Sequence, residues 1–119
     1  MIEFQYQLPY PPTVNHIYRR TKRGQVFLDD RASSYRDEVI LMIGKGHTTL
    51  TGPIQVRVDA YMPDKRKRDL DNIFKSLNDA LTHAGVWRDD SQIERIVANK
   101  QGVESPGRVV VTVSQILEQ

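Results

Sequence analysis

The residues best suited to chemistry lie between positions 65 and 90 of this chain of 119 residues. Two aspartates, Asp69 and Asp71, directly follow a run of four cations, and a second acidic pair, Asp89 and Asp90, comes farther along. Carboxylate oxygens are ligands that Mg²⁺ takes in proteins, together with substrate phosphates and waters. Neighbouring cations can hold the phosphates on which such a metal acts. The pattern therefore indicates a hard divalent cation and a phosphate-bearing partner.

Positive charge is concentrated in two clusters, although the formal net charge of the chain is only +2. One cluster contains Arg19, Arg20, Lys22 and Arg23, and the other contains Lys65, Arg66, Lys67 and Arg68. A single cluster is often only a solvated loop. Two clusters, one of them beside the carboxylates, favour a polyanionic partner.

The first acidic pair also has an ordinary structural interpretation. Asp69 is well placed to cap a helix, and Asp71 lies in its first turn, where acidic residues interact favourably with the helix dipole. Lys75 follows Asp71 by four residues, the spacing of a weak surface ion pair. The same spacing also places Asp71 and Lys75 on one helix face, where lysine can order a carboxylate or stabilise charge on a phosphate.

Asp89 and Asp90 lie in a short connection after the same helix, and an acidic loop of this kind is usually only solvated. A helix of this length spans roughly 20 Å at about 1.5 Å per residue. Asp90 can therefore approach Asp71 only if the chain turns back along the helix.

Apolar periodicity predicts the element order β-α-β-α-β-β, an α+β fold with a small mixed sheet packed by two main helices. The predicted strands are residues 3–8, 54–62, 92–99 and 108–116, and the predicted helices are residues 32–45 and 70–84. Gly85 is expected to end the second helix at C′. Residues 104–107 indicate a hairpin that joins the last two strands. Residues 22–24 indicate a turn between short extended pieces within a loop of residues 13–31, and the whole range 1–119 is expected to be a single domain.

Composition excludes several classes of site. The absence of cysteine rules out disulfides and thiolate metal ligands, and the three histidines lack metal-ligand spacing. No signal peptide or apolar segment long enough to span a membrane is found, so a cytoplasmic protein with no membrane contact is expected. No glycine-rich phosphate loop occurs, so no nucleotide cofactor is expected.

These motifs resemble the RusA family of Holliday junction resolvases over nearly the whole chain. The resemblance is carried by Arg68-Asp69-Leu70-Asp71-Asn72, Lys75, Asp79-Ala80-Leu81, Gly85, Trp87, Asp89-Asp90 and Gln92. It extends to Leu8-Pro9, Pro11-Pro12-Thr13 and Asn15 near the N-terminus and to Met62-Pro63-Asp64 before the basic run.

The resemblance implies a homodimeric endonuclease that resolves four-way DNA junctions by paired symmetric nicks in recombination and repair. It implies Mg²⁺ as cofactor, with Mn²⁺ able to substitute, held by Asp69, Asp71 and Asp90, and a catalytic role for Lys75. It places DNA contacts at Thr13, Val14, Asn15, His16, Lys65, Arg66, Lys67 and Arg68. It gives no specific role to Arg19, Arg20, Lys22 and Arg23, and it implies that the Asp90 loop returns to Asp71, with or without help from the dimer partner.

Two other classes of function remain open at this stage. A phosphatase or phosphotransferase could use Asp69 as a nucleophile, although such a residue normally ends an apolar strand. A DNA-binding module without activity would use the acidic residues only as caps and ion-pair partners, and it predicts salt-sensitive binding without metal-dependent cleavage.

Overall fold

The computed structural model of the chain describes residues 2–13 and 18–117. The helices and strands, in chain order, are β1 (Glu3–Pro9), β2 (Tyr18–Arg20), β3 (Val26–Leu28), α1 (Asp30–Ile43), β4 (Ile54–Met62), α2 (Phe74–His83), β5 (Ile93–Val103) and β6 (Arg108–Gln115). The predicted α+β class is confirmed. The small hairpin β2–β3 lies where the sequence indicates a turn at residues 22–24 between short extended pieces.

The main sheet has the spatial order β1-β6-β4-β5. Strand β6 pairs antiparallel with both β1 and β4, whereas β5 pairs parallel with β4. The sheet is therefore mixed, as predicted. The segment β4–α2–β5 is a crossover unit, since parallel neighbours need a long connection and here that connection contains the helix.

The predicted hairpin between the last two strands is wrong, because β4 lies between β5 and β6. The connection after β5 crosses the end of β4, where Glu104 N donates to Met62 O at 2.8 Å. Strand β4 buries every second residue and has neighbours on both sides. A central position satisfies both of its hydrogen-bonding edges, which an edge position would leave half unpaired.

The core lies between one face of this sheet and the two helices. The sheet contributes alternate residues of β4 and β6, and the helices contribute apolar stripes from α1 and α2. The opposite face of the sheet is polar, with contacts such as Gln5 Nε2 donating to Thr112 Oγ1 at 3.3 Å. None of the helices in the described ranges is long and apolar enough to span a bilayer.

Two glycines illustrate different demands on the backbone. Gly85 has φ +80° at the C′ position of α2, after the C-cap Ala84, and its N–H donates to Thr82 O at 3.0 Å, so the predicted helix end is confirmed. Gly107, at φ +93°, lies so close to the rest of the fold that an added Cβ would be 3.0 Å from the Cβ atoms of Pro63 and Tyr10. This contact packs the β6 entry against the segment that leads to the basic run.

Candidate functional site

The first acidic pair is carried by a 3₁₀ turn, Leu70–Ile73, that leads directly into α2. The predicted single helix therefore begins as a tighter turn. Asp69 occupies the N-cap position as expected, but its side chain makes no capping hydrogen bond. Asp71 lies in the first turn and is exposed. Because capping does not use the Asp69 carboxylate, its oxygens are available to a ligand.

Lys75 is exposed in the first turn of α2. The ion pair with Asp71 that their spacing allows is not formed among the described residues. An ion pair of this kind contributes only about 0.2–0.5 kcal/mol. An incoming metal would therefore meet little competition from Lys75 for the Asp71 carboxylate, and an incoming phosphate would meet little competition from Asp71 for Lys75.

Arg68 differs from the three cations that precede it. Its side chain is only 20% exposed, and Nη2 donates to Asp64 Oδ2 at 2.9 Å. The guanidinium also lies over the Tyr10 ring, 5.8 Å from the centroid. This hydrogen bond lowers the pKa of Asp64 below its usual value. Arg68 therefore fixes the backbone next to Asp69, whereas the side chains of Lys65, Arg66 and Lys67 are exposed to solvent.

A surface pocket of about 290 Å³ brings several predicted residues together. It is lined by Thr13, Lys67, Arg68, Asp69 and Asn72. The segment after β1 thus meets the end of the basic run and the first aspartate. The other predicted DNA contacts of that segment, Val14, Asn15 and His16, lie outside the described residues.

Asp90 is anchored to the far end of α2. Its Oδ1 accepts hydrogen bonds from Thr82 Oγ1 and from the indole Nε1 of Trp87, the latter at 3.1 Å. The same indole N–H also lies 2.7 Å from Thr82 Oγ1. The Trp87 ring is fully buried, so it holds this arrangement rigidly. Both contacts use one carboxylate oxygen, so Oδ2 of Asp90 accepts no hydrogen bond within the described part of the chain.

Asp89 has a local structural role instead. It is the N-cap of the 3₁₀ turn Asp90–Gln92, where it accepts a hydrogen bond from Ser91 N at 3.3 Å. Gln92 completes a capping box, since its Oε1 accepts from Asp89 N at 3.0 Å. The same side chain donates to Leu50 O and Gly52 O, which ties the loop to the start of β4. Of the two aspartates, Asp90 is therefore the better candidate for a ligand.

The two halves of the candidate site lie at opposite ends of α2. Thr82, which binds Asp90, is eleven residues beyond Asp71, roughly 16 Å along the axis at about 1.5 Å per residue. Within the described ranges, no three His, Asp or Glu side chains are grouped closely enough to hold a metal. The carboxylate oxygens fit Mg²⁺ chemically, and Mg²⁺ often uses only one or two of them beside phosphates and waters. A single chain thus presents Asp69 and Asp71 together but keeps Asp90 apart.

A buried ion pair supports α2 and was missed by the sequence reasoning. Asp79 is buried and accepts from both Nε and Nη2 of Arg36 at 2.8 Å, which raises the pKa of Arg36. The hydroxyl of Tyr18 lies 3.5 Å from the same carboxylate. An acidic residue among the buried positions of a helix is rare unless it is paired, and this was the available signal.

Comparison with known proteins gives one consistent result. The family model described as Endodeoxyribonuclease RusA matches residues 9–114. The chain is similar to the crossover junction endodeoxyribonuclease of Enterobacteria phage 82, at 38% identity over 98% of both chains. It is also similar to the proteins of that name from Shigella sonnei and Escherichia coli, each at 36% identity over 98% of both chains.

Proposed function

Because the chain belongs to the RusA family of endodeoxyribonucleases, we propose that it is a Holliday junction resolvase that makes paired symmetric nicks in four-way DNA. The proposed enzyme is a single domain of residues 1–119 that acts in recombination and repair. Its proposed compartment is the cytoplasm, since its proposed substrate is DNA and the named relatives belong to bacteria and a phage.

One observation gives this proposal its main structural support. A single pocket contains Lys67, Asp69 and Asn72, so a cation, a carboxylate and an amide face the same space. A phosphate bound there meets a positive charge, and the neighbouring carboxylate repels it unless a divalent cation lies between them. The pocket therefore suits a phosphodiester accompanied by a metal better than either partner alone.

The same geometry disfavours the two rival functions. Strand β4 ends at Met62, several residues before Asp69, so Asp69 does not hold the strand-end position of an aspartyl nucleophile. A module that only binds DNA would gain from neutralised acidic residues, since exposed carboxylates repel phosphates. Asp69 and Asp71 are exposed beside the basic run, and the Asp69 side chain makes no capping hydrogen bond. Neither carboxylate is therefore neutralised by another described residue, which disfavours a module that only binds DNA.

We assign Asp69, Asp71 and Asp90 as ligands of Mg²⁺, for which Mn²⁺ can substitute. When bound, the metal supplies an activated water and neutralises charge on the scissile phosphate. We propose that Lys75, exposed one turn after Asp71, stabilises the negative charge that develops on the phosphate.

Phosphates flanking the scissile one would bind to the exposed cations Lys65, Arg66 and Lys67, together with the segment Thr13, Val14, Asn15 and His16. Arg68 contributes mainly by holding the chain before Asp69, through its contacts with Asp64 and Tyr10. The contacts of the exposed cations with DNA phosphates would position the DNA backbone, since phosphate contacts carry no sequence information.

The active form is proposed to be a two-fold homodimer. Two equal nicks require two equal sites, which a two-fold axis supplies. The separation of Asp90 from Asp71 within one chain gives the dimer a second task. We propose that each site combines Asp69 and Asp71 of one protomer with Asp90 of the partner subunit.

The central test is cleavage of a synthetic four-way junction by single Asp→Asn variants. Asp69→Asn, Asp71→Asn and Asp90→Asn should abolish nicking in Mg²⁺ while junction binding in chelator stays near that of the unaltered protein. Asp89→Asn is the matched control, because asparagine also caps a 3₁₀ turn and should leave cleavage intact. Full nicking by Asp71→Asn would refute the site, and equal cutting of plain duplex DNA would refute junction specificity.

Mixing two inactive variants tests the shared site. A dimer of one Asp71→Asn subunit and one Asp90→Asn subunit retains one intact site only if the ligands come from different subunits. Random mixing should then restore about a quarter of the wild-type nicking rate, as single nicks. No recovery, with subunit exchange verified by differently tagged chains, would place each site within one subunit.

A further inference from the structure

The hairpin β2–β3 stands apart from the main sheet and has no role in the site described above. Its strands pair antiparallel with Arg19 opposite Phe27 and Arg20 opposite Val26. The turn is closed by hydrogen bonds between Thr21 and Gln25, with Thr21 N donating to Gln25 O at 2.8 Å. Gly24 supplies the positive φ, +83°, that so tight a turn requires.

The hairpin surface is strongly cationic and unusually exposed. Between Tyr18 and Leu28 there are four cations and no acidic residue. Among the described residues, Arg20, Lys22 and Arg23 take part in no ion pair. Phe27 is 44% exposed and Val26 is 58% exposed, so each ribbon face presents an apolar side chain beside an arginine.

The base of the hairpin, by contrast, is firmly held. Arg19 Nε donates to Asp29 Oδ2 at 2.7 Å, and Asp29 is also the N-cap of α1 through a hydrogen bond from Arg31 N. The hydroxyl of Tyr18 contacts Asp79 on α2. The hairpin is thus a fixed arm on the helix that carries Lys75, and only its outer part is left without partners in the described structure.

We propose that this hairpin is a second DNA-contacting arm, a deepening that rests on the proposed resolvase function. A two-stranded β-ribbon fits the major groove of duplex DNA, which is about 12 Å wide. Lys22, Arg23 and Arg20 bind phosphates on either side of the groove, and Val26, on the same ribbon face as Arg20, lies against the sugars or base edges inside it. The arm grips a duplex branch of the junction away from the scissile phosphate, so it contributes affinity and orientation.

The first test removes two charges from the turn of the full-length protein. Lys22→Ala/Arg23→Ala is compared with Lys45→Ala/Lys100→Ala, which removes two exposed positive charges elsewhere. Binding of a four-way junction in chelator is measured at several salt concentrations. Two lost phosphate contacts should reduce the slope of log affinity against log salt by about 1.8 in the turn variant. Raising the salt from 50 to 200 mM should therefore weaken binding in both proteins, and the fold-loss of affinity should be about 12 times smaller in the turn variant than in the wild type.

The control variant should keep the wild-type slope. An unchanged salt slope in the turn variant, or an equal change of slope in both variants, would refute the proposal that the hairpin contacts DNA. Nicking measured at saturating protein separates the two proposals, since loss of the arm should leave that rate within about two-fold of wild type. If neither the wild type nor any variant nicks the junction while the salt slopes still differ, the hairpin contacts DNA but the proposed resolvase function is refuted.

Val26→Ala tests the apolar half of the arm without changing charge. It should weaken junction binding several-fold at every salt concentration and leave the salt slope unchanged. Sedimentation of the same variant measures its oligomeric state and tests whether the hairpin contacts another protein subunit instead. A loss of dimer with unaltered DNA affinity would make this hairpin a protein–protein contact and refute the proposal.

Discussion

Replacing Thr82 by valine tests whether the hydrogen bonds around Asp90 set the function of that carboxylate. The substitution keeps the shape and the β-branched side chain, so α2 should be little affected. It removes the hydroxyl that donates to Asp90 and accepts from Trp87 Nε1 at 2.7 Å. The indole N–H keeps its second acceptor, Asp90 Oδ1 at 3.1 Å, so no buried donor loses all its partners.

The expected cost to stability is therefore modest. A lost hydrogen bond that leaves no unsatisfied group costs about 1 kcal/mol, so the two that this hydroxyl makes with Asp90 and Trp87 cost about 2 kcal/mol together. In a domain of this size that corresponds to a fall in Tm of about 8 °C, which leaves the protein folded at an assay temperature of about 25 °C. The functional cost should be larger, because loss of a partner that orients a metal ligand typically lowers metal affinity or activity about 10–100-fold.

The assay is the rate of junction nicking as a function of Mg²⁺ concentration. Thr82→Val should raise the concentration that gives half-maximal rate, with junction binding in chelator unchanged, and Thr82→Ser should restore most of the loss. Thr112→Val is the matched control, since among the described residues that hydroxyl accepts a hydrogen bond only from Gln5, on the polar face of the sheet. A wild-type Mg²⁺ dependence in Thr82→Val, or the same shift in Thr112→Val, would refute the positioning role.

Two further predictions concern stability. Gly107→Ala and Gly46→Ala place alanine at similar positive φ, +93° and +89°, but only the first meets neighbouring Cβ atoms at 3.0 Å. Gly107→Ala should lose about 1–3 kcal/mol more in urea unfolding, and equal losses would show that the close contact is unimportant. The hydrogen bond from Arg19 lowers the pKa of Asp29 from 3.8 to about 2, so its stabilisation is present above pH 4 and lost as pH falls toward 2. Asp29→Asn should therefore flatten the fall in unfolding free energy with acid, and an unchanged profile would contradict the pairing.

The sequence predicted the local elements well, because apolar periodicity and turn residues act over short distances. The alternation in β4 and β6 and the helix end at Gly85 are examples. The predicted pairing of β5 with β6 was wrong, since a short connection such as residues 104–107 can join two paired strands or cross over one strand between them equally well. Four residues can span about 13 Å, enough to cross the roughly 9.6 Å between alternate strands.

The candidate site shows the same difference between local features, which the sequence predicts, and long-range contacts, which it does not. The spacing of Asp69, Asp71 and Lys75 placed them correctly at the start of α2, since a helix start depends on local residues. The position of Asp90 depends on Thr82 and Trp87, whose side chains meet it only after the loop has folded. Sequence spacing contains no information on that contact, nor on the partner subunit that we propose to complete the site.

The pairing of β1 with β6 also determines when the protein can fold during its synthesis. Strand β6 supplies Val109, Val111 and Val113, all fully buried, and it lies between the first strand and β4. A chain made from its N-terminus therefore exposes β1 and one edge of β4 until β6 has left the ribosome, and such edges promote aggregation. A nascent or truncated chain that ends before Arg108 lacks the strand that joins the two parts of the sheet. Folding of this sheet thus waits until β6 has emerged from the ribosome, so that a nuclease of this family would not become competent to cut before that point.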